Sequence, residues 1–311
     1  MQSIKRHETL SRKPVMSIKN ISDSVKAKLK TKAISEEKDL SLVLTRYALE
    51  RFLYRLSISR YANQFLLKGA LLFDLWFDVP FRATRDIDLL GFGSGDTTFL
   101  TNIFSEICSV ECADGLFFES ASILAEEIRK EANYTGVRIS LNGFIGSAKC
   151  VVQVDVGYGD AVTPEPEQAD YPVMLSEFPA PRLRVYPRYT VIAEKVEAII
   201  SLGMANSRLK DYFDLWILLN HTTLDANVLK EAVNATVKRR ATIMPIGIPL
   251  GLSDQFGGDP IKRSQWFNFA SRNRIENIEF SEVVNDIRMK LKYLFVSSSA
   301  DTADHQNRVT H

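Results

Sequence analysis

Asp86 and Asp88 stand one residue apart in Thr84-Arg85-Asp86-Ile87-Asp88-Leu89-Leu90, a run otherwise apolar enough to form a strand. Side chains on a strand alternate between faces, so the two carboxylates project together while Ile87 and Leu89 turn toward a core. Two like charges that close repel unless a cation lies between them. Hard divalent ions such as Mg2+ take oxygen ligands and keep positions open for substrate phosphates. Alone, such a pair is weak evidence, because paired acids also occur on solvated strand edges. It gains weight from Lys68-Gly69-Ala70-Leu71-Leu72 upstream, a glycine turn leading into a helix. Backbone N–H groups in that setting make an anion site suited to phosphate.

A third acid, Asp155, sits in the aliphatic run Val151-Val152-Gln153-Val154-Asp155-Val156-Gly157. A buried acid needs a partner, and a metal shared with Asp86 and Asp88 would supply one. The alternative is that Asp155 ends its strand and caps the next turn. A glycine turn, a D-x-D strand and a later lone acid together describe a two-metal phosphoryl-transfer site. Arg85, beside the pair, is suited to balancing the acids or touching a nucleotide phosphate. Farther on, Lys195 falls between Val191 and Ile199 on the flank of an apolar helical stripe, where it must snorkel or find a carboxylate or phosphate. Asp211 and Asp214 open the following helix, and acids in a first turn are also simply favourable to the helix dipole.

Other chemistries fit poorly. Cys108 and Cys112 are spaced i, i+4 with no histidine nearby, which argues against zinc. His7, His221, His305 and His311 lie away from these motifs, which argues against histidine-based nucleophilic catalysis. No G-x-x-x-x-G-K-[ST] run is present, so a P-loop ATPase is excluded.

The glycine turn, helix and D-x-D resemble the nucleotidyltransferase superfold of polymerase beta type, in which G-[GS] precedes a [DE]-x-[DE] strand. More narrowly, Leu66 to Gly91, Gln153 to Asp160 and Val191 to Trp216 resemble the AbiEii toxins of type IV toxin–antitoxin and phage-defence systems. One departure is that Ala70 follows Gly69 where the superfold prefers Gly or Ser, so a serine contact to phosphate is missing. The resemblance implies that Lys195 is an active-site residue contacting a triphosphate. It also implies that Asp211, in a matching R-x-K-D-x-x-D block, pairs with Lys195 or acts as a base. Lys68, Gly69, Ala70, Arg85 and Lys195 would bind nucleotide, and Asp86, Asp88 and Asp155 would hold Mg2+ or Mn2+. The implied activity is transfer of a nucleotide from an NTP to RNA, with the tRNA 3′ end the best-known acceptor, and a cognate antitoxin as partner. A catalytically weak nucleotide- or RNA-binding protein and protein-directed nucleotidylation are the competing readings.

These residues need a scaffold. The chain has 311 residues, with 39 Lys+Arg against 38 Asp+Glu and 45% apolar residues, an ordinary globular composition that excludes a disordered chain or a rod. No window approaches the ~18 apolar residues of a membrane span. Three cysteines, Cys108, Cys112 and Cys150, are too few for a disulfide framework and fit a reducing cytoplasm. The expected fold is α+β: a nucleotidyltransferase-like mixed sheet flanked by helices, then a mostly helical C-terminal subdomain. Residues 1–35 read as a basic leader, solvated or attracted to nucleic acid, with Met16 as an alternative start. Residues 36–160 read as the nucleotidyltransferase-like domain. Within it, a helix spans Glu36 to Leu56, a strand Phe65 to Leu67, a helix Phe99 to Cys108, and a hairpin turns at Asn142-Gly143. Residues 161–188 are a proline-stiffened crossing, with Pro164, Pro166, Pro172, Pro179, Pro181 and Pro187 in or beside it. Residues 189–296 carry helical patterns at Val191 to Leu202, Lys210 to Leu219, Ala226 to Lys238 and Phe280 to Leu294. Residues 297–311 read as a disordered tail. Lys210, Lys238, Arg239, Arg240, Lys262, Arg263, Arg272 and Arg274 are candidate RNA phosphate contacts.

Overall fold

The computed structural model describes residues 18–77, 84–131, 134–275 and 278–295. The first half of the basic leader with Met16, the positions of Arg82 and Ala83, and the tail at 297–311 lie outside them. The architecture is mixed α/β, as the sequence predicts. Its chain order begins with α1 (Ile18–Ser35) and α2 (Leu40–Ile58), then β1 (Phe65–Lys68), a short 3-10 turn through Leu71, α3 (Leu72–Trp76), β2 (Asp86–Gly91) and α4 (Thr97–Cys108). Next come β3 (Leu116–Glu131), β4 (Tyr134–Ile145), β5 (Ala148–Tyr158), β6 (Glu167–Asp170) and β7 (Arg182–Val185). The rest is helical: α5 (Arg188–Leu202), α6 (Leu209–His221), α7 (Ala226–Arg239), α8 (Asp254–Gly258), α9 (Pro260–Asn273) and α10 (Phe280–Leu291).

Among the described residues, seven strands form one mixed sheet in the order β3-β4-β5-β2-β1-β7-β6. β2 runs antiparallel to β1 and parallel to β5, while β1 also pairs in parallel with β7. One face is core. Ile87 and Leu89 of β2 and Val152, Val154 and Val156 of β5 are buried with Phe52 of α2 and Phe104 of α4. The other face carries the acids, so strict alternation alone separates packing from chemistry.

Three local expectations change. The second half of the leader is not a solvated arm: Val25, Leu29 and Ala33 recur every four residues and are buried, and α1 lies against α2. Its lysines mask that stripe in the sequence. Asn142-Gly143 is mid-strand, and the β4–β5 hairpin turns instead at Gly146-Ser147, between the paired Ile145 and Ala148. Gly146 has φ 59°, the left-handed value a tight turn needs, whereas Gly143 is small because the Phe118 ring lies over it. The proline-rich crossing contributes β6 and β7, which extend the sheet beside β1 rather than only spanning a gap. β3 has no strong sequence signal because its pairing with β4 shifts register between Glu119 and Leu124.

Candidate active site

Strand register assembles the site's floor. Lys68 of β1 lies opposite Asp88 of β2, Asp88 opposite Asp155 of β5, and Asp155 opposite Arg138 of β4. Adjacent strands are ~4.8 Å apart, so the row reads cation, anion, anion, cation across four strands. Asp86 sits two residues before Asp88 on the same face, and Thr84 Oγ1 donates to its Oδ1 at 2.8 Å. Gly69 is required twice. Its φ is +75°, and a Cβ there would lie 2.2 Å from Asp88 Oδ2, so only glycine lets the turn close against that carboxylate.

Asp155 does not wait for a metal. It is 4% exposed, and Arg138 Nε and Nη2 donate to its Oδ1 and Oδ2 at 2.8 and 2.9 Å. Burial does demand a partner for this acid, as the sequence argues, but a guanidinium on the next strand supplies it. Arg138 is missed in the sequence because the pairing depends on register, and the intervening turn does not fall where Asn-Gly suggests.

The opposite wall comes from the helical half. Lys195 on α5 donates to Asp211 Oδ1 at 2.8 Å and to Asp214 Oδ2 at 3.0 Å, both on α6. The Asp211 partnership follows the expectation. Asp214 is more than a helix-dipole acid, because its side chain is only 2% exposed and shares the same ammonium. Lys68 donates to Asp160 Oδ2 at 2.6 Å and Glu194 Oε1 at 3.0 Å, over the ring of Tyr186. Arg240, just past α7, donates to Glu197 Oε2 at 2.6 Å and Asp160 Oδ1 at 3.3 Å. Burial pushes the Glu194 carboxyl above the ordinary range; Lys68 and Arg240 oppose this and Asp160 adds to it. Burial works against the charged form of Arg240, but Glu194 and Asp160 overcome it and hold the guanidinium above its usual value. Asp160 and Glu194 escape the sequence reading, and Arg240 enters it only as an RNA contact, because their roles here come from the sheet meeting α5 and α7.

Asp86, Asp88, Asp155, Lys195 and Asp211 all line one cleft of about 430 Å3, together with Lys68, Gly69 and Ala70. That size suits a small ligand such as a nucleotide. Arg85 is not brought in. It is exposed and does not line the cleft. Four candidate RNA contacts are also otherwise engaged: Arg240 in the ion pairs above, Lys262, 8% exposed, donating to the Asn206 carbonyl at 2.8 Å, Arg239 donating to the Gly159 carbonyl, and Arg263 donating to Glu279 Oε2 at 3.3 Å. Arg208 and Lys210 do line the cleft.

The donor set fits a hard divalent ion. Asp86 and Asp88 offer oxygen ligands beside a glycine turn, and Mg2+ is commonly bound by one or two carboxylates plus substrate phosphates. Among the described residues, no group of three His, Cys, Asp or Glu side chains gathers to hold an ion by itself. No helix among the described residues is long and apolar enough to cross a membrane.

Residues 51–286 match the family model described as nucleotidyl transferase AbiEii toxin, type IV TA system. The fold is also similar to that of JHP933 from Helicobacter pylori, at 13% identity over 86% of this chain and 97% of that one, with a TM-score of 0.45. A second H. pylori structure, whose name proposes a nucleotidyltransferase, has 14% identity over the same shares and a TM-score of 0.46. A search of curated proteins gives no match. The family match spans β2, β5, α5 and α6, and with them the acids and the lysine of the cleft. By that match the chain belongs to the AbiEii nucleotidyl transferase toxin family of type IV toxin–antitoxin systems.

Proposed function

We propose that this protein transfers a nucleotide from an NTP to an RNA acceptor in a Mg2+-dependent reaction, with the tRNA 3′ end as the acceptor its family suggests. The observation that supports this best is the shared cleft: Asp86 and Asp88 from the sheet face Lys195 and Asp211 from the helices. In the reaction the acceptor 3′-hydroxyl gives up its proton to solvent, its oxygen bonds to the α-phosphorus, the bond from that phosphorus to the bridging oxygen of the β-phosphate breaks, and pyrophosphate leaves. Little covalent help is needed, so positioned charge carries the catalysis. A divalent ion at Asp86 and Asp88, Mg2+ or Mn2+, would supply neutralisation of the triphosphate. Lys195 adds a point charge to the leaving phosphates, and Asp211 holds it in place beforehand. Lys68 and the Gly69-Ala70 turn receive the triphosphate.

This reading puts the protein in the cytoplasm with its RNA, where modification of a tRNA end would block aminoacylation, arrest growth and abort phage infection. A cognate antitoxin would hold it in check. The test is incubation with each labelled NTP, Mg2+ and total RNA. Label in RNA is the expected outcome. Label in protein would replace the RNA acceptor with a side-chain hydroxyl. Label in neither would favour a catalytically weak nucleotide- or RNA-binding protein, a reading supported by Ala70 in place of the usual Gly or Ser.

A further inference from the structure

The three acids on the floor of the cleft are not equivalent. Asp86 and Asp88 are partly exposed, whereas Asp155 is 4% exposed and has an Arg138 nitrogen on each oxygen. A two-point fork between guanidinium and carboxylate is among the strong hydrogen-bonded pairings of a protein. The guanidinium also stays charged at any working pH. Its reach extends along the row: the hydrogen bond to Asp155 is the main support of the charged form of Arg138, and Asp86 and Asp88 add to it.

We infer that Asp155 is not a metal ligand: Arg138 neutralises it and confines the divalent ion to Asp86 and Asp88, a two-carboxylate site completed by the triphosphate. This rests on reading the D-x-D pair as the metal site. A cation entering between Asp86 and Asp88 gains from both. To recruit Asp155 it would have to break a two-point pair and then sit beside the stranded guanidinium, whose charge repels it. Asp155 is therefore a positioning residue that fixes Arg138 at the cleft wall. Arg138 in turn sets how many carboxylates the ion meets. Removing the arginine should convert a two-acid site into a three-acid one.

The test is Mn2+ alone, titrated into the full-length protein with free Mn2+ followed by electron paramagnetic resonance. Asp86→Asn or Asp88→Asn should weaken binding about tenfold or more, the scale of a lost contact in a metal site. Asp155→Asn, which still accepts a hydrogen bond from Arg138 but leaves that guanidinium uncompensated, should weaken binding clearly less than Asp86→Asn or Asp88→Asn, because it adds repulsion without removing a ligand. Arg138→Gln should tighten binding by roughly tenfold, since a repelling charge goes and a carboxylate is released. The double variant Arg138→Gln/Asp155→Asn should lose that gain, which assigns it to Asp155 and not to altered packing. Asp155→Asn weakening Mn2+ as much as Asp86→Asn would overturn the inference and leave the metal reading standing. Unchanged affinity in Arg138→Gln would overturn it as well. Unchanged affinity in both Asp86→Asn and Asp88→Asn would overturn the metal reading itself, and the inference with it.

Discussion

Arg55 on α2 and Lys195 on α5 both bind carboxylates where there is little water, yet their surroundings differ in kind. The Arg55 side chain is 3% exposed, forks onto Asp114 at 2.7 and 3.0 Å, and also donates to the carbonyls of Arg51, Val110 and Leu116. Tyr47 OH donates to the Asp114 carbonyl from the other side. That arrangement pins the chain between α4 and β3 to α2. Lys195 is 13% exposed, stands on a cleft wall, and has two acids for one ammonium. A matched pair sealed in protein has nothing to exchange with, so its consequence is stability. A lysine shared between two acids at a cleft wall is placed to trade carboxylate for phosphate, so its expected consequence is chemistry.

If that distinction holds, substitutions in the two regions should separate activity from stability, and the largest separation belongs to the acid pair. Asp86→Ala or Asp88→Ala should lower NTP transfer by about four orders of magnitude, or ~5 kcal/mol in the barrier. The midpoint of thermal unfolding should barely move, because neither side chain is core. Equal growth arrest by variant and wild type on induction would contradict this.

Arg55→Ala should do the reverse. Leaving Asp114 buried without its fork should cost about 3–5 kcal/mol of unfolding free energy. Whatever fraction remains folded should transfer at the wild-type rate per molecule. Urea titration combined with active-site counting separates the two, and a large rate loss in fully folded Arg55→Ala would erase the distinction.

Lys195→Met lies between these cases. It keeps the volume of the stem and deletes the charge, so transfer should fall roughly 100- to 1000-fold, the cost of one missing charge-stabilising group. Stability should fall by only about 1–3 kcal/mol, because Asp214 stays buried and loses a donor. Lys195→Arg should not restore the rate, since a planar fork cannot occupy a point-charge position. Near-normal transfer in Lys195→Met would remove the residue from the mechanism.

The smallest expected effect is a pH dependence next to Arg55. Glu50, 2% exposed, accepts from the Met174 N–H at 2.6 Å and contacts Arg51 at 2.8 Å. Burial pushes its carboxyl up to about 7, although Arg51 and the Met174 N–H oppose this. The folded state then binds a proton more tightly than the unfolded chain. Stability contributed by this group is fully present below the ordinary carboxylate range and is lost as pH rises toward about 7. Glu50→Gln should therefore match wild type near pH 4.5 and exceed it by about 1–3 kcal/mol at pH 8. Denaturant melts at the two pH values check the sign, and a Glu50→Gln protein less stable at pH 8 would reverse it.

Sequence alone determined what local geometry can dictate. Alternation sent Asp86 and Asp88 to one face, and Gly69 marked a turn leading into a helix; that the turn closes against Asp88 came only with the fold. Helical spacing put Lys195 at the edge of a stripe, and the family resemblance offered Asp211 on the next helix as its partner. The hairpin turn was misread because a glycine looks the same whether it must adopt a left-handed φ, as at Gly146, or only avoid a ring, as at Gly143. Tertiary structure decided which charges meet. Arg138 reaches Asp155 by strand register, Lys68 turns to Asp160 and Glu194 where the sheet meets α5, and Arg240 arrives from beyond α7. Periodicity reports which side of an element a residue occupies. Charge pairing depends on which elements lie side by side, and that is fixed only when the whole chain buries its apolar surface.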